Sequence, residues 1–391
     1  MQFEHITSDA KLAEFCDIMS RSETIAFDTE FVSEHSYRPE LCLIQLAADQ
    51  QLAIIDPYEV GDLTPFWDVL STGDHATVVH SGREEYLFCL RSFGRGPKRW
   101  FDVQIAAGMV GFEYPASYGN LVSRFIGKSI AKGETRTDWR RRPLTSRQLN
   151  YALQDVLYLE DMCKQLESKL DELGRLPWLE VELELWQERL EHSEKTERWR
   201  RLSGISGLSR RGLAVARQLW RWREAEAEKA NQPPRRMLRD DLIVELARRG
   251  SADIQRIRAI RGLSRNDLKK KMPSISEHIQ TALDLSEDEL PRPPHKGPST
   301  HVSLLAQFLS TALSSICRGK DIAPSLVGTV QDVRDFVEFR HSRGNASDQA
   351  PSLAVGWRLE LVGKKLDDLL SGRLAIRIDD ARSDAPLVFE E

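Results

Sequence analysis

The chain has 391 residues, 41% hydrophobic and 29% charged, with a net charge of −5, which suits two or three domains with real cores. No apolar run approaches the ~20 residues that span a bilayer, and the opening "MQFEHITSDAKLAEFC" lacks the basic and apolar segments of a signal peptide, so no membrane partner is expected. The five cysteines (Cys16, Cys42, Cys89, Cys163, Cys317) form no CxxC pair, which argues against structural zinc and a disulfide framework and for a reducing, cytoplasmic setting.

Four runs early in the chain read as strands: "TIAFDTEF", "LCLIQLAA", "QLAIIDP" and "ATVVHSG". Each carries β-branched or aromatic residues and is bounded by turn signals. "REEYLFCLRSFG" and "SRQLNYALQDVLYLEDMCKQL" read as helices, the second opened by a Thr145–Gln148 capping box. Strands followed by strand–helix alternation predict an α/β domain over residues 1–175, a mixed sheet with helices on its faces. The charged stretch 176–207 reads as a helical connector, either free or packed on the first domain. Residues 208–285 are helical in pattern and rich in arginine. Between 208 and 283 stand 18 Lys/Arg against 9 Asp/Glu, a local charge of +9 in an acidic chain. That is the electrostatic footprint of a polyanion partner, or else a solvated basic face. The prolines of 286–300 mark a linker. Residues 301–378 return to helical spacing, with Leu304, Leu305, Phe308, Leu309 and Leu313 on one side, and 379–391 reads as a frayed tail.

The candidate chemistry begins at Asp28-Thr29-Glu30. Alternate strand residues share a face, so Asp28 and Glu30 point the same way. Two carboxylates that close resist desolvation, and a divalent metal is the simplest positive partner. Tyr151 and Asp155 sit four apart on the capped helix and share its face, as a packing contact or as a hydroxyl beside a ligand. Glu84 and Glu85 open another helix, where the macrodipole alone would favour them. Asp102 precedes a small-residue helix and has N-cap duty as its plain explanation.

These residues, in this order, resemble the DEDD family of 3′–5′ exonucleases, tyrosine subtype, and within it the ribonuclease D branch. Asp28-Thr29-Glu30-Phe31 with "ELCLIQLA" matches the first motif. Tyr151-Ala-Leu-Gln-Asp155-Val matches the third, and "ETRTDWRRRPLTSRQLNYALQDVLYL" is similar to the ribonuclease D approach to it. The second-motif aspartate falls on Glu85, a departure by one methylene, with Glu84 and Asp102 as possible substitutes. "GLAVARQLWRWREAEAEKANQPPRRMLRDDLIVELARRG" resembles an HRDC domain, and 301–378 a second, diverged copy.

The resemblance implies an RNase H-like exonuclease domain followed by one or two small all-helical HRDC-type domains. It implies two divalent ions, Mg²⁺ or Mn²⁺, on Asp28, Glu30, Glu85 and Asp155, with Tyr151 orienting the attacking water. It also implies RNA as the partner, transfer RNA precursors above all, trimmed from the 3′ end to nucleoside 5′-monophosphates. No protein partner is inferred. Two rival readings are a DNA 3′–5′ exonuclease of the proofreading or repair type, and a nucleic-acid-binding protein whose nuclease Glu85 has disabled. A cut after about Leu202 is expected to leave a folded nuclease.

Overall fold

The structure is a computed structural model and describes residues 1–130, 137–263, 266–293, 300–341, 350–383 and 386–391. A strand and a helix precede the first predicted strand: β1 (Glu4–Ile6) and α1 (Asp9–Met19), the latter capped by the Ser8 hydroxyl. The four predicted strands follow as β2 (Thr24–Val32), β3 (Glu40–Ala48), β4 (Gln51–Ile55) and, after α2 (Thr64–Thr72), β5 (Ala76–Val79). Helix α3 (Arg83–Phe93) leads to β6 (Trp100–Asp102), α4 (Val103–Met109) and α5 (Tyr118–Phe125). The sheet runs β1-β4-β3-β2-β5-β6. β2 and β4 are antiparallel to β3, and the other pairings are parallel. The strand carrying Asp28 and Glu30 is therefore central. Ile25, Ala26 and Phe27 are fully buried, and Phe27 meets Phe66 and Trp100 edge-on. An apolar stem buried on both faces fixes where the two carboxylates emerge.

The predicted long helix is two, α6 (Ser146–Leu157) and α7 (Leu159–Glu172). Its capping box forms as predicted, Thr145 and Gln148 each bonding the other's backbone N–H. The break falls at Tyr158, whose N–H donates to the Tyr118 hydroxyl at 3.3 Å. The connector is α8 (Leu176–Lys195). It packs on the first domain rather than standing free: Leu179 and Leu183 are buried, and Trp186 stacks on Trp100.

The arginine-rich region folds as α9 (Arg210–Lys229), α10 (Pro234–Met237), α11 (Asp240–Arg249), α12 (Ile254–Arg258) and α13 (Asn266–Leu283). Leu213, Leu219, Trp222, Ile243, Ile257 and Ile275 belong to a core of its own, separate from that of the first domain. It meets the β2–β3 loop through polar groups. The Tyr37 N–H donates to Asn231 Oδ1 at 3.2 Å, and Arg38 pairs with Glu228 at 3.1 Å, both side chains more than half exposed.

The third unit comprises α14 (Thr300–Arg318), α15 (Pro324–Val327), α16 (Val330–His341), α17 (Gly356–Arg358), a π-helical turn at Leu359–Gly363, and α18 (Lys364–Leu370). Unlike the middle unit, it shares one continuous hydrophobic core with the first domain. Trp357 stacks on Trp178 at 5.3 Å, and the Ala323 N–H donates to the Gly108 carbonyl at 2.8 Å. Buried Arg358 donates to the Val327 and Leu326 carbonyls and, at 2.6 Å, to buried Glu182 of α8. A cut after Leu202, expected to leave a folded first domain, would strip the cover from an apolar face of it.

The tail is not frayed either. β7 (Ala375–Ile378) and β8 (Leu387–Glu390) form an antiparallel ladder. Ile376 and Phe389 pack against the main core, and Arg377 joins Glu390 at 2.8 Å. No described helix is long and apolar enough to cross a membrane.

Candidate active site

Asp28 and Glu30 leave β2 on one face. Glu85 comes from the first turn of α3, and Tyr151 and Asp155 from α6. The fold brings all five into one neighbourhood. The charges of Asp155, Glu30 and Asp28 all bear on the Tyr151 hydroxyl, Asp155 most strongly. Glu30 feels Asp28, Asp155 and Glu85.

Burial dominates the electrostatics, and mutual repulsion adds to it. Asp28 is pushed up to about 8 by burial and then by Asp155. Glu30 rises to about 9 by burial and then by its three acidic neighbours. Glu85 rises to about 8 by burial and then by Asp28. Asp155 rises to about 7 by burial, against the neighbouring Tyr151 hydroxyl, which lowers it. Among the described residues, no cation is among the groups that shift these four acids. Tyr151 is itself pushed up by burial and by Asp155, so its phenol keeps its proton at neutral pH.

Two contacts are additions to the sequence reading. Gln45 lies directly across the ladder from Asp28, and its amide donates to Asp28 Oδ2 at 2.8 Å. A fully buried glutamine inside "ELCLIQLA" was the available signal. Thr29 donates to Glu85 Oε1 at 2.5 Å. By strand alternation Thr29 belongs to the face opposite Asp28 and Glu30, so the longer glutamate stem has one oxygen drawn away from the pair. Among the described residues no three of His, Cys, Asp and Glu stand at ligating distance of a common point. The acids are neighbours, and their side chains would have to turn to share an ion.

The substitutes for Glu85 have other work. Asp102 accepts from the N–H groups of Ser81, Gly82 and Gln104 at 2.9–3.1 Å. It caps α4 and fastens the turn before α3. Glu84 pairs with Arg83.

Residues 3–171 match the 3′–5′ exonuclease family and residues 212–279 the HRDC domain. Ribonuclease D of Gluconacetobacter diazotrophicus is 32% identical, over 96% of this chain and 95% of its own. That of Sphingobium indicum is 33% identical, over 98% of each. The chain belongs to the ribonuclease D family. It is a 3′–5′ exoribonuclease with a mixed-sheet nuclease domain and a C-terminal helical HRDC region. The crystal structure of Escherichia coli RNase D, an exoribonuclease involved in structured RNA processing, matches with a TM-score of 0.84 at 28% identity. It covers 95% of this chain and 99% of that one.

Ribonuclease D and its DEDD relatives work with divalent metal ions. The residues present fit such a group. Four clustered carboxyls, Glu85 buried and Asp28, Glu30 and Asp155 half-buried, offer hard oxygens only. Each is lifted far above the ordinary carboxylate range, which is the state a bound cation would relieve.

Proposed function

We propose that this ribonuclease D trims the 3′ ends of structured RNA precursors, transfer RNA above all, and releases nucleoside 5′-monophosphates one at a time. Asp28, Glu30, Glu85 and Asp155 hold two ions, Mg²⁺ or Mn²⁺. When bound, these supply positive charge to the attacking water and to the departing 3′ oxygen. Tyr151 orients that water. A phenol that stays protonated at neutral pH serves as a hydrogen-bond partner and not as a base. Gln45 holds one Asp28 oxygen so that the other is free to ligate.

The arginine-rich unit at 208–285 holds the RNA body through phosphates while the nuclease takes the single-stranded end. We read 301–378 as a second, diverged HRDC-like unit, supported by the overlap with Escherichia coli RNase D along nearly the whole chain. The observation that carries the catalytic reading is the cluster of four mutually repelling carboxyls, all lifted by desolvation, with a tyrosine hydroxyl beside them.

A 3′-extended transfer RNA and a sequence-matched DNA oligonucleotide, each incubated with Mg²⁺, Mn²⁺ or EDTA, test this reading. Metal-dependent release of ribonucleoside 5′-monophosphates from the RNA supports it. Equal turnover of the DNA, or product in EDTA, defeats it.

A further inference from the structure

Tyr151 is not held by its own helix alone. Its ring stacks on the indole of Trp139, with centroids 6.2 Å apart and planes 30° off parallel. Trp139 is only 4% exposed. It belongs to a small satellite core with Cys42, Leu43, Ile54, Ala152 and Leu153, against which Tyr151 leans.

The segment that delivers Trp139 has no regular structure, yet it is pinned at both ends. At one end Gln148 Nε2 donates to the Thr137 hydroxyl at 2.9 Å, tying the segment to the capping box of α6. At the other end Arg142 makes a complete knot. Its Nε and Nη2 grip the two oxygens of Asp56 at 2.5 and 2.8 Å. Nη2 also donates to the Cys42 carbonyl of β3 at 2.8 Å. Nη1 donates to the carbonyls of Trp139 at 2.7 Å and Arg141 at 3.0 Å. All five guanidinium N–H donors are used, which is the most such a group can do. Asp56 is 2% exposed and follows β4 directly. The sheet thus fixes Arg142, Arg142 fixes the Trp139 backbone, and the indole fixes the plane of the Tyr151 ring.

We infer that Trp139, anchored by the Asp56–Arg142 knot, is a positioning residue that aims the Tyr151 hydroxyl at the reacting water. The inference rests on the catalytic reading of Tyr151 given above. A phenol has one rotation that sweeps its hydroxyl across the site, about the Cα–Cβ bond, and a stacked indole blocks that sweep. Misplacement of a reacting group by about 1 Å costs on the order of 10²-fold in rate. The effect should fall on kcat, because the phosphate contacts and the carboxyls do not involve Trp139.

The test is a double-mutant cycle on the full-length enzyme with a short RNA substrate. Trp139→Leu should lower kcat about 10–100-fold, with KM and Mn²⁺ affinity within about 2-fold of wild type. Trp139→Phe, which keeps a ring for Tyr151 to stack on, should recover most of the loss. In a Tyr151→Phe background Trp139→Leu should change kcat by less than about 2-fold, because there is no hydroxyl left to aim. Wild-type kcat in Trp139→Leu would overturn the inference. So would the same loss with and without the Tyr151 hydroxyl, which would mean that Trp139 acts only through packing. If Trp139→Leu does not fold, the same cycle with Trp139→Met decides, since the loss it causes must vanish in the Tyr151→Phe background. Should Tyr151→Phe itself turn over like wild type, the catalytic reading of the tyrosine fails and takes this inference with it. An impaired Tyr151→Phe beside an additive Trp139 effect defeats the inference alone.

Discussion

Replacing Arg358 with Met should unlock the third unit from the nuclease. Arg358 is 7% exposed and Glu182 is 5% exposed. The substitution removes the 2.6 Å pair and two bonds to the carbonyls of Leu326 and Val327. Breaking a buried pair from one side costs about 3–5 kcal/mol. Glu182 keeps a second partner, Arg189 at 3.2 Å, which is largely exposed and so compensates weakly. The lower end of the range, about 3 kcal/mol, is therefore expected. At about 2 °C per kcal/mol for a large cooperative unit, that is a fall of about 6 °C. Calorimetry is the assay, because the molecule has its own control. The middle unit has a separate core and should melt separately and unchanged. The double variant Glu182→Leu/Arg358→Met should recover most of the loss, since an apolar pair leaves no buried charge. A shift under about 2 °C, or a double variant as unstable as Arg358→Met, would refute the reasoning. So would a third transition that moves alone, because it would show that nuclease and third unit do not melt as one.

Asp28→Asn or Asp155→Asn should abolish hydrolysis and leave RNA affinity within about 2-fold, since the basic unit binds through phosphates elsewhere; near-normal turnover in either would sink the ligand assignment. Glu85→Gln should be nearly inactive with either ion and Glu85→Asp should keep or gain activity with Mg²⁺, whereas Glu84→Gln, which loses only its Arg83 contact, should be mild. Activity in Glu85→Gln with none in Glu84→Gln would show that the wrong carboxylate was chosen. The four lifted carboxyls also set a pH dependence for the metal-free protein. They keep protons to about 7–9 when folded and lose them near 4 when unfolded. Folding therefore takes up protons between those limits, and stability in EDTA should fall as pH rises from about 4 to about 9. Asp28→Asn should flatten part of that slope in denaturant titrations at pH 6 and 8.5. An unchanged slope would show that Asp28 is ionised at neutral pH.

The parts of the site that were legible in the sequence are those set by local geometry. Strand alternation put Asp28 and Glu30 together, the i,i+4 rule put Tyr151 over Asp155, and the Thr145–Gln148 box located the helix that carries them. What escaped notice is paired across long loops. Gln45 reaches Asp28 only because β2 and β3 register at that rung. Thr29 meets Glu85 across 56 residues of chain. The Asp56–Arg142 knot spans 86 residues. No periodicity within one segment reports such partners. The same holds for the third unit: the spacing of its leucines marks helices, but an apolar stripe does not name the surface that covers it, and here that surface is the nuclease.

That shared core has a consequence for how the chain is made. The nuclease strands leave the ribosome first, and the middle unit, with its own core, follows. The helices that finish the nuclease core begin at Thr300, more than a hundred residues after α8 ends at Lys195. At about 5–20 residues per second, that is an interval of roughly 5–20 s. Throughout it, Trp178 waits without Trp357, and Glu182 stands in water rather than against Arg358. The first domain to be synthesised is thus the last to be completed, and this nascent apolar face is where chaperone contact or misassembly would begin.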